Sequence, residues 1–456
     1  VQGLTLLLLV GYALVLVALS WQRRGTDAGD YLLDGRRLTL PAFVATLVTT
    51  WYGGILGVGE YAWSYGLATW IVFGVPYYLA ALLFAFGLAG RLRATGAVSI
   101  PELLHRAYGT AAARTGALGV LAFSLPVAYL VMLGVLLADV TGWPRPLAIV
   151  AAAAFSAGYV ALSGFRAVVR TDRLQMVLMY AGFLILLPVA LTHLGGLSGL
   201  WDRLPDSHRT WDGGLGWQTV VVWYLIALQT IVDPTFYQRV FAAASPRTAR
   251  RGVVVSVLFW MVFDFLSVFT GMAARVLLPD LADPLQAYQQ LASVLLPAVL
   301  AAVFVVGLFA TVMSTVDSYL FLAAATVGHD LLPAPGRPAV ERGRMRWALA
   351  ACAFVAAAAA MLFSSAVAVW YGVGSVVTSA LLLPVVAIHL PEHLRPRSGA
   401  AVASMAVAAG IATAWFVLGA WLGSPFGGVE PMFPALAAAA AIWAADRILA
   451  GRIAHR

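Results

Sequence analysis

Four hydroxyl side chains recur with helical spacing inside an otherwise apolar run. In Thr311-Val312-Met313-Ser314-Thr315-Val316-Asp317-Ser318, the residues Thr311, Ser314, Thr315 and Ser318 stand at i, i+3, i+4 and i+7, which puts them on one face of a helix. A single hydroxyl in such a run commonly bonds back to its own helix carbonyls. Four on a face, with the Asp317 carboxylate beside them, offer the oxygen-rich lining that a hard monovalent cation needs. A second run, Gln229-Thr230-Ile231-Val232-Asp233-Pro234, carries an acid and a proline through apolar sequence. Asp is a preferred N-cap and Pro a preferred first helical residue, so the pair spells a helix start in mid-span; a plain proline kink is the alternative. A third run, Thr49-Thr50-Trp51-Tyr52-Gly53-Gly54-Ile55-Leu56-Gly57, holds three glycines. These either admit a close neighbouring helix or let the backbone open and turn carbonyls toward an ion.

The elements that must position these residues are membrane helices. The chain is 62% hydrophobic and 11% charged, a composition foreign to a soluble globular domain. Apolar runs of about 20 residues, enough to cross a hydrocarbon core, recur from end to end. Residues 1–456 therefore read as a single all-α transmembrane domain. Thirteen spans are expected, at about 4–20, 41–66, 68–90, 116–142, 146–163, 172–193, 217–243, 252–278, 297–327, 345–363, 366–390, 399–421 and 431–450. The first is expected to be a retained helix and not a signal peptide, because Arg23 and Arg24 follow it and no basic residue precedes it. Placing the N-terminus outside puts 24 of the 28 arginines, Arg239 among them, on the cytoplasmic side; only Arg145, Arg203, Arg209 and Arg275 fall outside. The positive-inside rule then predicts a bacterial-type inner membrane protein with a cytoplasmic C-terminus. Its charge of +8 serves to anchor it to the lipid bilayer, with no case for nucleic acid.

Several chemistries are excluded outright. All 28 basic residues are arginine. Without lysine, no phosphate-cradling G-x-x-x-x-G-K-[ST] loop and no Schiff base can be built. Cys352 is the only cysteine, so no intrachain disulfide forms. His389 and His393 are four apart, but Pro391 between them disrupts the helical face a metal site would need. No paired nucleophile and base appears, and the loops reach only some 20 to 25 residues. An enzyme is not expected, nor any organic cofactor.

Two interrupted helices five spans apart match the layout of inverted-repeat transporters. At these residues the chain resembles the sodium:solute symporter family, whose fold is LeuT-like. The resemblance is carried by Asp30-Tyr31-Leu32-Leu33-Asp34-Gly35-Arg36-Arg37-Leu38, Thr50-Trp51-Tyr52-Gly53-Gly54, Ser99-Ile100-Pro101-Glu102-Leu103-Leu104, and Gly164-Phe165-Arg166-Ala167-Val168 through Thr171-Asp172-Arg173-Leu174-Gln175. Tyr237-Gln238-Arg239 and Met313-Ser314-Thr315 complete it. It implies a 5+5 inverted repeat, with about 41–193 as the first repeat and about 217–390 as the second, flanked by peripheral helices at 1–30 and 399–456. It implies sodium as the coupling ion, held by carbonyls of Thr49, Tyr52 and Thr311 and by the hydroxyls of Ser314 and Thr315. By position, Trp51, Gly53, Gly54, Gln229 and Thr230 line the pocket for a small organic solute, with Glu60 a candidate gate or a paired structural carboxylate. Asp139 and Asp264 are expected to pair internally. Asp172 matches the family's carboxylate at the inner mouth of the sodium path. With Asp317 and Ser318 it forms a candidate second cation site; a hydrogen-bonded structural Asp317 is the alternative. Symport by alternating access is the expected activity. A proton-coupled symporter of the same fold and a transporter-derived sensor remain as alternatives.

Overall fold

The computed structural model describes residues 2–21, 28–332, 338–363, 365–422 and 429–454. Thirteen long helices stand among them: α1 Gln2–Ser20, α2 Leu40–Tyr65, α3 Ala68–Ala94, α4 Thr110–Thr141, α5 Arg145–Ser163, α6 Phe165–Leu194, α7 Trp217–Ala242, α8 Pro246–Leu277, α9 Ala298–Leu331, α10 Pro338–Ala360, α11 Ala366–Ala387, α12 Ser398–Leu422 and α13 Met432–Ala454. Twelve are long and apolar enough to cross a membrane. The exception is α10, which occupies the place of the tenth expected span and packs against α4, α5 and α9. Its first half carries Arg344 and Arg346, and the uncharged stretch 347–360 covers only about 21 Å at 1.5 Å per residue.

Burial separates the centre of the bundle from its rim. In the apolar windows of α2 and α9, 89% and 83% of residues are buried, against 22% for α1 and for α13. The two most enclosed helices are thus those that carry the glycine run and the hydroxyl stripe. Around them pack α6 and α8, while α12 and α13 lie against each other and against α11. No strand occurs among the described residues. An isolated bridge joins Leu38 to Ala243, tying the entry of α2 to the exit of α7.

Both expected interruptions are present, as tight turns instead of long open segments. α2 runs as α-helix to Trp51, narrows to a 3₁₀ turn at Tyr52–Gly54, and resumes at Ile55. α7 narrows over Ala227–Ile231, leaves helical geometry at Val232 and Asp233, and restarts at Pro234. Asp233 is the N-cap of the new segment, its carboxylate accepting from the Thr235 amide at 2.7 Å. A further break, at Leu125-Pro126 in α4, was not anticipated, although proline lacks the donor that a continuous helix requires.

Candidate functional site

The break in α2 lies against α9 at Gly53 and against α11 at Gly54, and the missing side chains make both approaches possible. A Cβ on Gly53 would fall 2.2 Å from Thr315 Oγ1, and one on Gly54 would fall 2.0 Å from the Trp370 ring. Here the Thr315 hydroxyl donates to the Thr50 carbonyl at 2.8 Å and reaches the Thr49 carbonyl at 3.4 Å. The adjacent Ser314 hydroxyl donates back to the Thr311 carbonyl at 3.2 Å. The Tyr52 carbonyl sits in the adjoining turn, accepting from the Ile55 amide. All five expected sodium ligands are buried, at the junction of α2 and α9. Thr49, Thr50, Thr311, Ser314 and Thr315 thus form a cluster of buried carbonyl and hydroxyl oxygens where α2 meets α9.

Beside this cluster lies a cavity of about 130 Å³. Trp51, Gly54 and Gln229 line it as expected. Gly53 and Thr230 do not: Gly53 faces Thr315, and the buried Thr230 hydroxyl has no hydrogen-bond partner among the described residues. The rest of the wall is strongly aromatic, with Phe73, Tyr77, Tyr129, Trp223, Tyr319 and Trp370 prominent. Trp51 packs on Trp260 and Tyr77, each with ring centroids 5.0 Å apart. Polar groups are few. Gln229 donates to the Tyr77 hydroxyl at 3.1 Å, Asp233 accepts from Tyr319 at 3.3 Å, and Asp264 accepts from Tyr78. The Trp370 indole N–H makes no hydrogen bond among the described residues, and its ring lies 5.7 Å from that of Tyr129. These aromatic wall residues went unread in sequence, because they come from five helices with no local pattern linking them.

Under the cavity the structure corrects one reading and separates another. Arg239, counted above among cytoplasmic arginines, is fully buried in the second half of α7. Its guanidinium donates to Ser318 at 2.6 Å, Thr50 at 2.8 Å and Thr46 at 3.0 Å, and Asp172 and Asp233 supply the opposing charge. Asp172 accepts from Thr46. Asp317 turns the other way, accepting from Ser156 at 2.5 Å and from Tyr159, both on α5. Asp172, Asp317 and Ser318 are therefore not gathered at one point. Adjacent residues on a helix point about 100° apart, and Asp317 and Ser318 have different neighbours for that reason. Glu60 is half-buried in the second half of α2, outside the cavity lining, without a hydrogen bond or ion pair among the described residues. The backbone carbonyl of Asp139 accepts from Gln2.

The model of the sodium:solute symporter family matches residues 31–391. The chain belongs to that family. The symporter is 24% identical over 348 residues to the sodium/pantothenate symporter of Escherichia coli, covering 71% of this chain and 70% of the relative. It is 29% identical over 227 residues to human sodium/myo-inositol cotransporter 2, covering 40% of this chain and 33% of that one. A solved Na+-coupled sialic acid symporter, in its substrate-bound outward-open state, superposes with a TM-score of 0.80 over 98% of both chains at 18% identity. That likeness establishes the LeuT-like fold. The symporter is a sodium-coupled secondary transporter and not an enzyme.

Proposed function

We propose that the symporter drives uptake of a small, uncharged, ring-bearing solute with one sodium ion per cycle. The observation that carries this reading is the contact of Thr315 with the Thr49 and Thr50 carbonyls, alongside the aromatic cavity. An ion at Thr49, Tyr52, Thr311, Ser314 and Thr315 would pin the α2 break to α9 and so fix one wall of the solute site. Residues of about 41–193 and 217–390 act as the two repeats that rock about this junction.

The solute class follows from the wall. Flat aromatic faces favour a ring or an aliphatic skeleton, while the Gln229 amide and the Trp370 N–H at the cavity wall offer specific hydrogen bonds. Two carboxylates, Asp233 and Asp264, and no cationic side chain line the cavity, which disfavours an anionic solute. One coupling ion is favoured because Arg239 already supplies a fixed positive charge to Ser318 and faces Asp172. The arginine asymmetry supports insertion in a bacterial-type inner membrane with the N-terminus outside and the C-terminus inside.

The test is a thermal-shift screen of polyols, sugars and carboxylates on the purified protein, each with and without sodium. Binding stabilises the folded state by mass action, so a neutral ring solute is expected to raise Tm only when sodium is present. Stabilisation by carboxylates alone, or with no sodium dependence, would overturn the reading.

A further inference from the structure

Three helix ends meet on one face of the bundle: the start of α2, the end of α3 and the start of α8. Gly90 near the end of α3 lies against Pro246, the first residue of α8, and Arg93 donates to the Ala243 carbonyl. A pocket of about 550 Å³ opens there, with Arg247, Arg250 and Arg251 and the apolar Leu40, Phe86 and Val254 in its lining. The three arginines are exposed, and none forms an ion pair among the described residues. Arg250 instead lies over the Phe86 ring, 4.5 Å from its centroid.

Two exposed apolar stripes lead away from this basic end. On α3 they are Leu79, Leu83 and Phe86, at 57%, 58% and 60% exposure; on α8 they are Leu258 and Val262 at 58% and 54%. The two helices pack side by side in opposite directions, so the stripes flank one gutter. From Arg251 to Val262 it runs about 16 Å, roughly one leaflet of a hydrocarbon core about 30 Å thick.

We infer that this is a binding site for an anionic glycerophospholipid, its phosphodiester held by the guanidinium groups and an acyl chain laid in the α3–α8 gutter. Guanidinium donors match phosphate oxygens in bidentate geometry. A bare phosphate would leave the gutter unused, and a choline headgroup would bring its own cation against the arginines. The site is separate from the sodium and solute sites, so its failure would leave the transport reading untouched.

The test uses the full chain in a neutral detergent, following Tm against dioleoylphosphatidylglycerol, dioleoylphosphatidylcholine and inorganic phosphate. Phosphatidylglycerol is expected to stabilise, and the other two to have little effect. Arg247→Gln with Arg251→Gln should weaken the phosphatidylglycerol response about thirtyfold, the effect of removing two interfacial charges. A control of equal charge change, Arg114→Gln with Arg173→Gln at two other exposed arginines, should leave it unchanged. Equal responses to the two lipids, a response to phosphate alone, or equal weakening in the control would overturn the inference. Should the first variant not fold, the wild-type comparison of the three ligands decides.

Discussion

Side-chain and backbone oxygens predict different outcomes at the proposed sodium site. Ser314→Ala and Thr315→Ala each delete a ligand atom, so the sodium concentration for half-maximal uptake should rise by on the order of tenfold or more. Thr49 would contribute its carbonyl, while its hydroxyl serves the Ala45 carbonyl at 2.9 Å. Thr49→Ala should therefore keep near wild-type sodium activation. If uptake assays show all three variants equally impaired, the ligand assignment is wrong. Arg239→Gln should instead appear in stability, costing about 3–5 kcal/mol by stranding buried acids, measured as a fall in Tm in detergent. The hydroxyl stripe was legible in sequence because helical spacing is a local property of Thr311, Ser314 and Thr315. Arg239 was not. An arginine near a span end reads as an interfacial anchor, and only packing reveals Thr46, Thr50 and Ser318 around it.

Adjacent glycines in the α2 turn face different neighbours, Gly53 the proposed sodium site and Gly54 the cavity wall. Gly53→Ala would press on Thr315, and Gly54→Ala on Trp370 in the cavity wall. The first should chiefly weaken sodium activation and the second chiefly weaken solute binding. Parallel sodium and solute titrations of both variants check this, and identical defects would refute the division. Loss of the α7 cap by Asp233→Ala should cost roughly 1 kcal/mol from the cap itself, with a further loss in solute affinity because Asp233 lines the cavity. The α7 break was readable because Asp-Pro is a strong local start signal. The α2 break was readable only as glycine permissiveness, which fits a close contact as well as a turn, and both roles prove to be present. Pro126 gave an equally clear signal in α4 and was passed over, since the surrounding run is apolar on both sides of the break.

For the whole molecule, the arginine distribution predicts sidedness. With Cys352 replaced, a single cysteine at Ser207 should react with an impermeant thiol reagent from outside, and one at Ser398 should not; equal labelling would refute the orientation. One sodium moving down a tenfold gradient supplies about 1.4 kcal/mol, and a potential of about 100 mV adds about 2.3 kcal/mol per charge. A neutral solute can then be concentrated several hundredfold. Charge moved per solute should equal one in wild type and stay at one in Asp317→Asn, since Asp317 faces Ser156 and Tyr159 and not the proposed sodium site. A value of two in wild type, falling to one in the variant, would restore the second cation. The fold class was legible from apolar run lengths alone, whereas the cavity wall, assembled from distant helices, was not. The neighbouring, tilted indoles of Trp51 and Trp260, with centroids 5.0 Å apart, have a consequence in optics. At that separation their excited states couple, and Trp51, Trp223 and Trp370 all border the same cavity. Near-ultraviolet dichroism and indole emission should therefore register cavity occupancy directly, making the unlabelled protein its own spectroscopic probe.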